Sequence, residues 1–121
     1  MTPTGCEWIV EAQGCNEAAL RNPVLLNTLF EDLIRGMALH PVEPTVWHQF
    51  PGPGGITGMC LLAESHLACH TFPEYGSLCL NVFCCRSDSD YDFESCLKQS
   101  FGDSVAVRVR KLERPYGQPW N

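Results

Sequence analysis

The chain has 121 residues and carries 8 basic against 14 acidic side chains, a net charge of −6 at neutral pH. That length holds one domain with a modest core, so covering apolar surface with a second copy is a natural expectation. The acidic balance argues against nucleic acid and suits solubility or a small cationic partner. No run approaches the roughly 18 apolar residues that span a bilayer, and the first residues lack a basic stretch followed by an apolar one. The expectation is a cytoplasmic protein with no membrane or nucleic-acid partner.

Glu7 to Gln13 alternates loosely and reads as a first strand. Asn22-Pro23 is a helix start, with Asn as N-cap and Pro at the first helical position. Leu26, Leu29, Phe30, Leu33 and Met37 then recur at helical spacing to about Leu39, with Gly36 weakening the end. Thr45 to Phe50 reads as a second strand and Ile56 to Ala63 as a third. The glycine-rich segment between them, Pro51 to Gly55, is a turn and not a phosphate loop, because no helix follows it.

Leu78 to Cys85 alternates as a strand, with Cys84 on one face and Cys85 on the other. Asp90 to Phe101 starts acidic, places Phe93, Cys96, Leu97 and Phe101 at helical spacing and closes on Gly102. Val105, Val107 and Val109 alternate with Ala106, Arg108 and Arg110 in a last strand, and the tail from Arg114 reads as turn-rich. The order implies an α+β two-layer sandwich, an antiparallel sheet with two helices packed on one face. The 8 cysteines contain no Cys-x-x-Cys pair, so in a reducing compartment most should be small buried hydrophobes.

Chemistry concentrates between the third strand and the next. The apolar run Met59 to Ala63 leads into Glu64-Ser65-His66, and His70, Glu74 and the Gly76 turn follow. Ser65 sits at a strand end where its hydroxyl can reach the preceding carbonyl. His66 and His70 can exchange protons near neutral pH, and an antiparallel return can bring the Cys85 thiol back to Ser65. Bland readings stand beside this one: a Ser-His pair is common in turns, and paired cysteines in a strand are common in cores. Cys60, His66, Cys69 and His70 also raise zinc, but the spacing does not supply two ligand knuckles, and Cys69 and His70 point to opposite faces of a strand. The expectation is no metal. A Cys-His protease has only the residue types in its favour.

Glu64-Ser65-His66, with His70-Thr71-Phe72-Pro73-Glu74 after it, resembles the self-cleavage segment of the prokaryotic S-adenosylmethionine decarboxylases. That family carries Glu-Ser-His-x-x-x-His-Thr-Trp-Pro-Glu. Gly55 to Gly58 (Gly-Ile-Thr-Gly), Asn81 to Cys85 and Glu113-Arg114 extend the resemblance over nearly the whole chain.

The resemblance implies cleavage between Glu64 and Ser65 into chains 1–64 and 65–121. Ser65 attacks the Glu64 carbonyl, His70 and Thr57 assist the processing, and residue 65 ends as a pyruvoyl cofactor. That ketone forms a Schiff base with a substrate amine and accepts the electrons released as carbon dioxide leaves. Cys85 then protonates the product, Glu74 binds the cationic substrate, and Phe50 offers an aromatic face to adenine. The implied protein is a homodimer in polyamine synthesis with active sites near the subunit interface.

Several residues depart from the family pattern. Phe72 stands for Trp, Asn81 for Asp, Cys84 and Arg86 for Thr and Gly, and Glu7 where His is common, and the Pro51 to Gly55 loop is one residue longer. These fall around the pocket and leave the processing residues intact, so they bear on the substrate. Ornithine or arginine is the alternative to S-adenosylmethionine, and an unprocessed, non-catalytic homologue is the alternative to an enzyme.

Overall fold

The computed structural model describes residues 4–85, 90–117 and 119. Six strands form one sheet, β1 (Thr4–Gln13), β2 (Val46–Gln49), β3 (Ile56–Leu61), β4 (His66–Phe72), β5 (Ser77–Cys84) and β6 (Ala106–Pro115). Their spatial order is β2-β3-β4-β5-β1-β6, and every neighbouring pair is antiparallel. Among the described residues three α-helices accompany them, α1 (Glu17–Leu20), α2 (Pro23–Gly36) and α3 (Phe93–Phe101).

The helix boundaries follow local chemistry. The Asn22 side chain accepts from the Val24 and Leu25 amides, and Asp92 accepts from the Ser95 amide, so each long helix starts on a side-chain cap. Helix α2 stops at Gly36, short of Leu39, because Ala38 turns into the left-handed region at φ 53°.

Alternation divides each strand. Cys6, Trp8, Val10 and Ala12 of β1, Leu67 and Cys69 of β4, and Leu78, Leu80, Val82 and Cys84 of β5 are buried beneath the helices. Phe30 of α2 meets Trp47 at 4.7 Å between ring centroids, and Phe93 of α3 meets Trp8 at 6.4 Å. Both long helices therefore lie on one face of the sheet. Gly58 belongs to that packing, since a Cβ there would enter the Trp47 ring.

The two-layer architecture agrees with the alternation in the sequence, and six of the 8 cysteines are buried free thiols. Three features differ from the sequence reading. His66–Phe72 is a sixth strand, Glu17–Leu20 is an extra helical turn, and the tail at Arg114 is still strand, paired with Gly5. Strand pairing supplies what the local pattern lacks in His66–Phe72 and in the tail, while the Asn16 side chain caps the short turn by accepting from the Ala19 amide. None of the described helices is long and apolar enough to cross a membrane.

Candidate active site on the open sheet face

The face of the sheet away from the helices carries the candidate chemistry, and strand β4 runs through all of it. At one end of β4, Leu62 to Ser65 connects β3 to β4. The Leu62 amide donates to the Ser65 carbonyl at 3.0 Å, and the Ala63 amide donates to the His40 carbonyl at 2.9 Å. Glu64 and Ser65 therefore sit in a tight, pinned hairpin turn. Strand β5 runs back antiparallel to β4, with His66 opposite Phe83. Cys85, just past the end of β5, arrives beside that turn.

The Cys85 Sγ donates toward the Glu64 carbonyl at 3.2 Å and toward the Glu64 Oε2 at 2.9 Å. This pairing with Glu64, helped by desolvation and the Glu64 charge, pushes the Cys85 thiol up to about 11. An open cavity of about 370 Å³ adjoins it, lined by Leu39, His40, Glu64, Ser65, Cys84 and Cys85.

The other candidate residues gather elsewhere. The Thr57 Oγ1 and His70 Nδ1 lie 3.1 Å apart in register-matched positions of β3 and β4. A cavity of about 350 Å³ opens there, lined by Phe50, Thr57, His70, Phe72 and Glu74. Phe50 is half exposed and meets the His48 ring edge-on at 4.5 Å. At the usual rise per strand residue, His70 lies about 13 Å along β4 from His66. One chain therefore brings Ser65 to Cys85, and Thr57 to His70, but it does not bring the two pairs together.

Between the pairs runs a polar ladder that the sequence reading did not assemble. The His66 Nε2 lies 2.8 Å from the Asn81 Oδ1, the Asn81 Nδ2 donates to Glu7 Oε2 at 2.8 Å, and Arg114 pairs with Glu7 Oε1. A carboxylate only accepts, so Asn81 turns its amide hydrogens to Glu7 and its oxygen to His66. The hydrogen of that last bond then rides on the His66 Nε2. The Asn81 bond, with Arg114 beside it, holds the Glu7 carboxyl below the usual range. The His66 ring also stacks on Phe83 at 5.9 Å, and Arg114 covers Phe83 from 5.7 Å.

The ladder was legible only as two odd residues, Glu7 and Asn81, which the register sets diagonally on one face, Glu7 opposite Phe83 and Asn81 opposite Ile9. Arg86 lies outside the described residues. The Cys/His cluster weighed for zinc is divided: Cys60 and Cys69 are buried under the helices, while His66 and His70 face the other way.

The sandwich itself is a known one. The crystal structure of the adenosylmethionine decarboxylase from Aquifex aeolicus VF5 superposes with a TM-score of 0.77, covering 100% of this chain and 98% of that one at 22% identity. The family model for S-adenosylmethionine decarboxylase matches residues 6–115. The chain belongs to that family of carboxy-lyases. The S-adenosylmethionine decarboxylase proenzyme of Picrophilus torridus is 32% identical over 112 residues, 91% of this chain and 83% of its own length. The proenzyme of Caldicellulosiruptor saccharolyticus is 30% identical over 122 residues, 95% of each chain.

Proposed function

We propose that the chain is a proenzyme that cleaves itself between Glu64 and Ser65, and that the mature protein decarboxylates S-adenosylmethionine for spermidine synthesis. The observation that carries this reading is the Cys85 thiol on the Glu64 carbonyl, beside a serine in a tight turn. A donor on that oxygen polarises the carbonyl that Ser65 Oγ attacks. The peptide becomes an ester. Loss of the Ser65 α-proton releases Glu64 as a carboxylate, and residue 65 takes up water and loses ammonia to become a pyruvoyl group.

The surroundings fit a small ketone at residue 65, with Leu39 and Cys84 as apolar walls and a thiol close by. That group supplies an electron sink when carbon dioxide leaves the substrate. The protein's own residues do the rest. Cys85 holds a proton for the product carbon, Phe50 offers a face to adenine, and Glu74 offers charge to the sulfonium. His70, aligned by Thr57, moves the proton in processing.

Because His70 lies far from Ser65 within one chain, we assign the complete site to a homodimer. The open face exposes Val46, Met59, Leu61, Phe72 and Leu112, an apolar surface that a second copy would cover. A two-fold pairing of these faces sets the Ser65–Cys85 end of one chain against the Thr57–His70 end of its partner. The fragments stay joined after cleavage, since β1 from chain 1–64 lies between β5 and β6 from chain 65–121. Buried free thiols suit a reducing compartment, and we assign the protein to the cytoplasm.

Intact mass under denaturing conditions tests the reading. The expected result is two chains, 1–64 and 65–121, the second lighter by one ammonia. A single full-length mass would overturn it in favour of an unprocessed homologue. Carbon dioxide release from S-adenosylmethionine, ornithine and arginine then identifies the substrate.

A further inference from the structure

We infer that Glu64 is a positioning residue for the Cys85 proton, through its side chain before cleavage and also through its new terminal carboxylate afterwards. The end of chain 1–64 is then a working part of the mature site and not a spent fragment. The side-chain half stands on geometry alone, while the second half rests on the cleavage proposed above.

The thiol has one proton and two acceptors on the same residue, the Glu64 Oε2 at 2.9 Å and the Glu64 carbonyl at 3.2 Å. Both acceptors prefer the protonated sulfur, because a thiolate facing them would meet only oxygen lone pairs and a negative charge. Cleavage strengthens this arrangement. The released Glu64 carboxylate keeps its original carbonyl oxygen and takes the Ser65 Oγ, so the oxygen that accepted the thiol becomes half of an anion.

The Glu64 position survives the cut, because chain 1–64 stays tied down just before it. Leu62 bridges Pro41, and Ala63 donates to the His40 carbonyl at 2.9 Å. The titratable groups facing this cavity are Glu64, His40, Cys84 and Cys85. Of these only His40 is not an acid.

A thiol held in this way remains a proton donor at neutral pH and resists alkylation and oxidation, which act through the thiolate. A cysteine whose duty is to give a proton to a carbanion needs that state, whereas a nucleophilic cysteine needs the opposite one. The carboxylate beside Cys85 distinguishes the two duties.

The test is the pH dependence of iodoacetamide alkylation at Cys85, resolved from Cys84 by peptide fragmentation, on full-length proteins. Ser65→Ala supplies an uncleaved background. Adding Glu64→Gln or Glu64→Ala should bring the Cys85 midpoint down from about 11 toward the ordinary thiol value near 8.5. At pH 8.5 the full change would raise the thiolate fraction by roughly a hundredfold, and alkylation should speed up by at least about tenfold. Exposed Cys79 should not respond, and buried Cys69 should stay unreactive, which shows that the fold is retained. Cleaved wild-type protein should titrate at or above the Ser65→Ala variant.

Equal Cys85 midpoints with and without the Glu64 side chain overturn the inference. A cleaved wild type that titrates as an ordinary thiol overturns its second half. If wild type proves uncleaved, the proposed function fails, and the uncleaved variants still decide the side-chain half.

Discussion

The two ends of strand β4 carry different kinds of chemistry on one face. At the Ser65 end, a pinned turn presents a backbone carbonyl, a hydroxyl and a protonated thiol. At the His70 end, an imidazole aligned by Thr57 stands among phenylalanines and a carboxylate. In the function proposed above, the first end would break the chain itself, and the second would hold a cationic substrate and move a proton. A rigid strand keeps them apart by about 13 Å or more, and the homodimer proposed above is what would bring the two ends together. In this chain the division of labour follows from the geometry of one strand.

The sharpest way to break that comparison is complementation. Cys85→Ala and His70→Ala are each expected to lose nearly all decarboxylation when alone. Refolded together at equal amounts, they should recover about one quarter of wild-type activity, since half the dimers are mixed and each mixed dimer has one site with both ends intact. No recovery would mean that each chain works by itself and that the face-to-face arrangement is wrong.

Thr71→Val loosens the His70 end alone. Thr71 is buried, accepts from the Ile56 amide at 2.9 Å and donates to the Leu20 carbonyl at 2.8 Å, so valine leaves both backbone groups without their partner. Urea denaturation should show a loss of about 2–4 kcal/mol. A loss under about 0.5 kcal/mol would mean that water replaces the hydroxyl and that this end is less tightly built.

Phe50→Ala should raise KM for S-adenosylmethionine by about tenfold, the effect of losing one aromatic contact, and leave ornithine or arginine turnover untouched. An unchanged KM would move the adenine away from the His70 end.

The smallest effect concerns the ladder between the ends. The Glu7 carboxyl is held below its ordinary value by Asn81 first and Arg114 next, so the stability it adds is present above the unfolded carboxylate value near 4.3. That contribution disappears as pH falls through the lower folded value. Glu7→Gln should flatten this part of the acid-stability curve by less than about 1 kcal/mol, because Arg114 is more than half exposed and solvent screens the pair. An unaltered acid limb would mean that the ladder orients His66 without adding stability.

The sandwich was largely legible because burial on one side of a strand writes a period of two into the sequence. Leu78, Leu80, Val82 and Cys84 show it plainly, and so does the capped helix from Pro23. Strand β4 shows the same alternation in Leu67, Cys69 and Thr71, but its outward positions hold His66, His70 and Phe72, which read as a motif and hid the strand. The residues after Val109 are mostly charged and exposed, and they remain extended only because β1 lies alongside.

The candidate site divides along the same line. Residue types, order and spacing drew attention to Ser65, His70 and Cys85, because those are properties of the chain as written. Which groups meet is a property of register and of the distance a strand spans. Pairing of β4 with β5 brings Cys85 onto Glu64, pairing of β3 with β4 brings Thr57 onto His70, and four residues of extended backbone keep the two meetings apart.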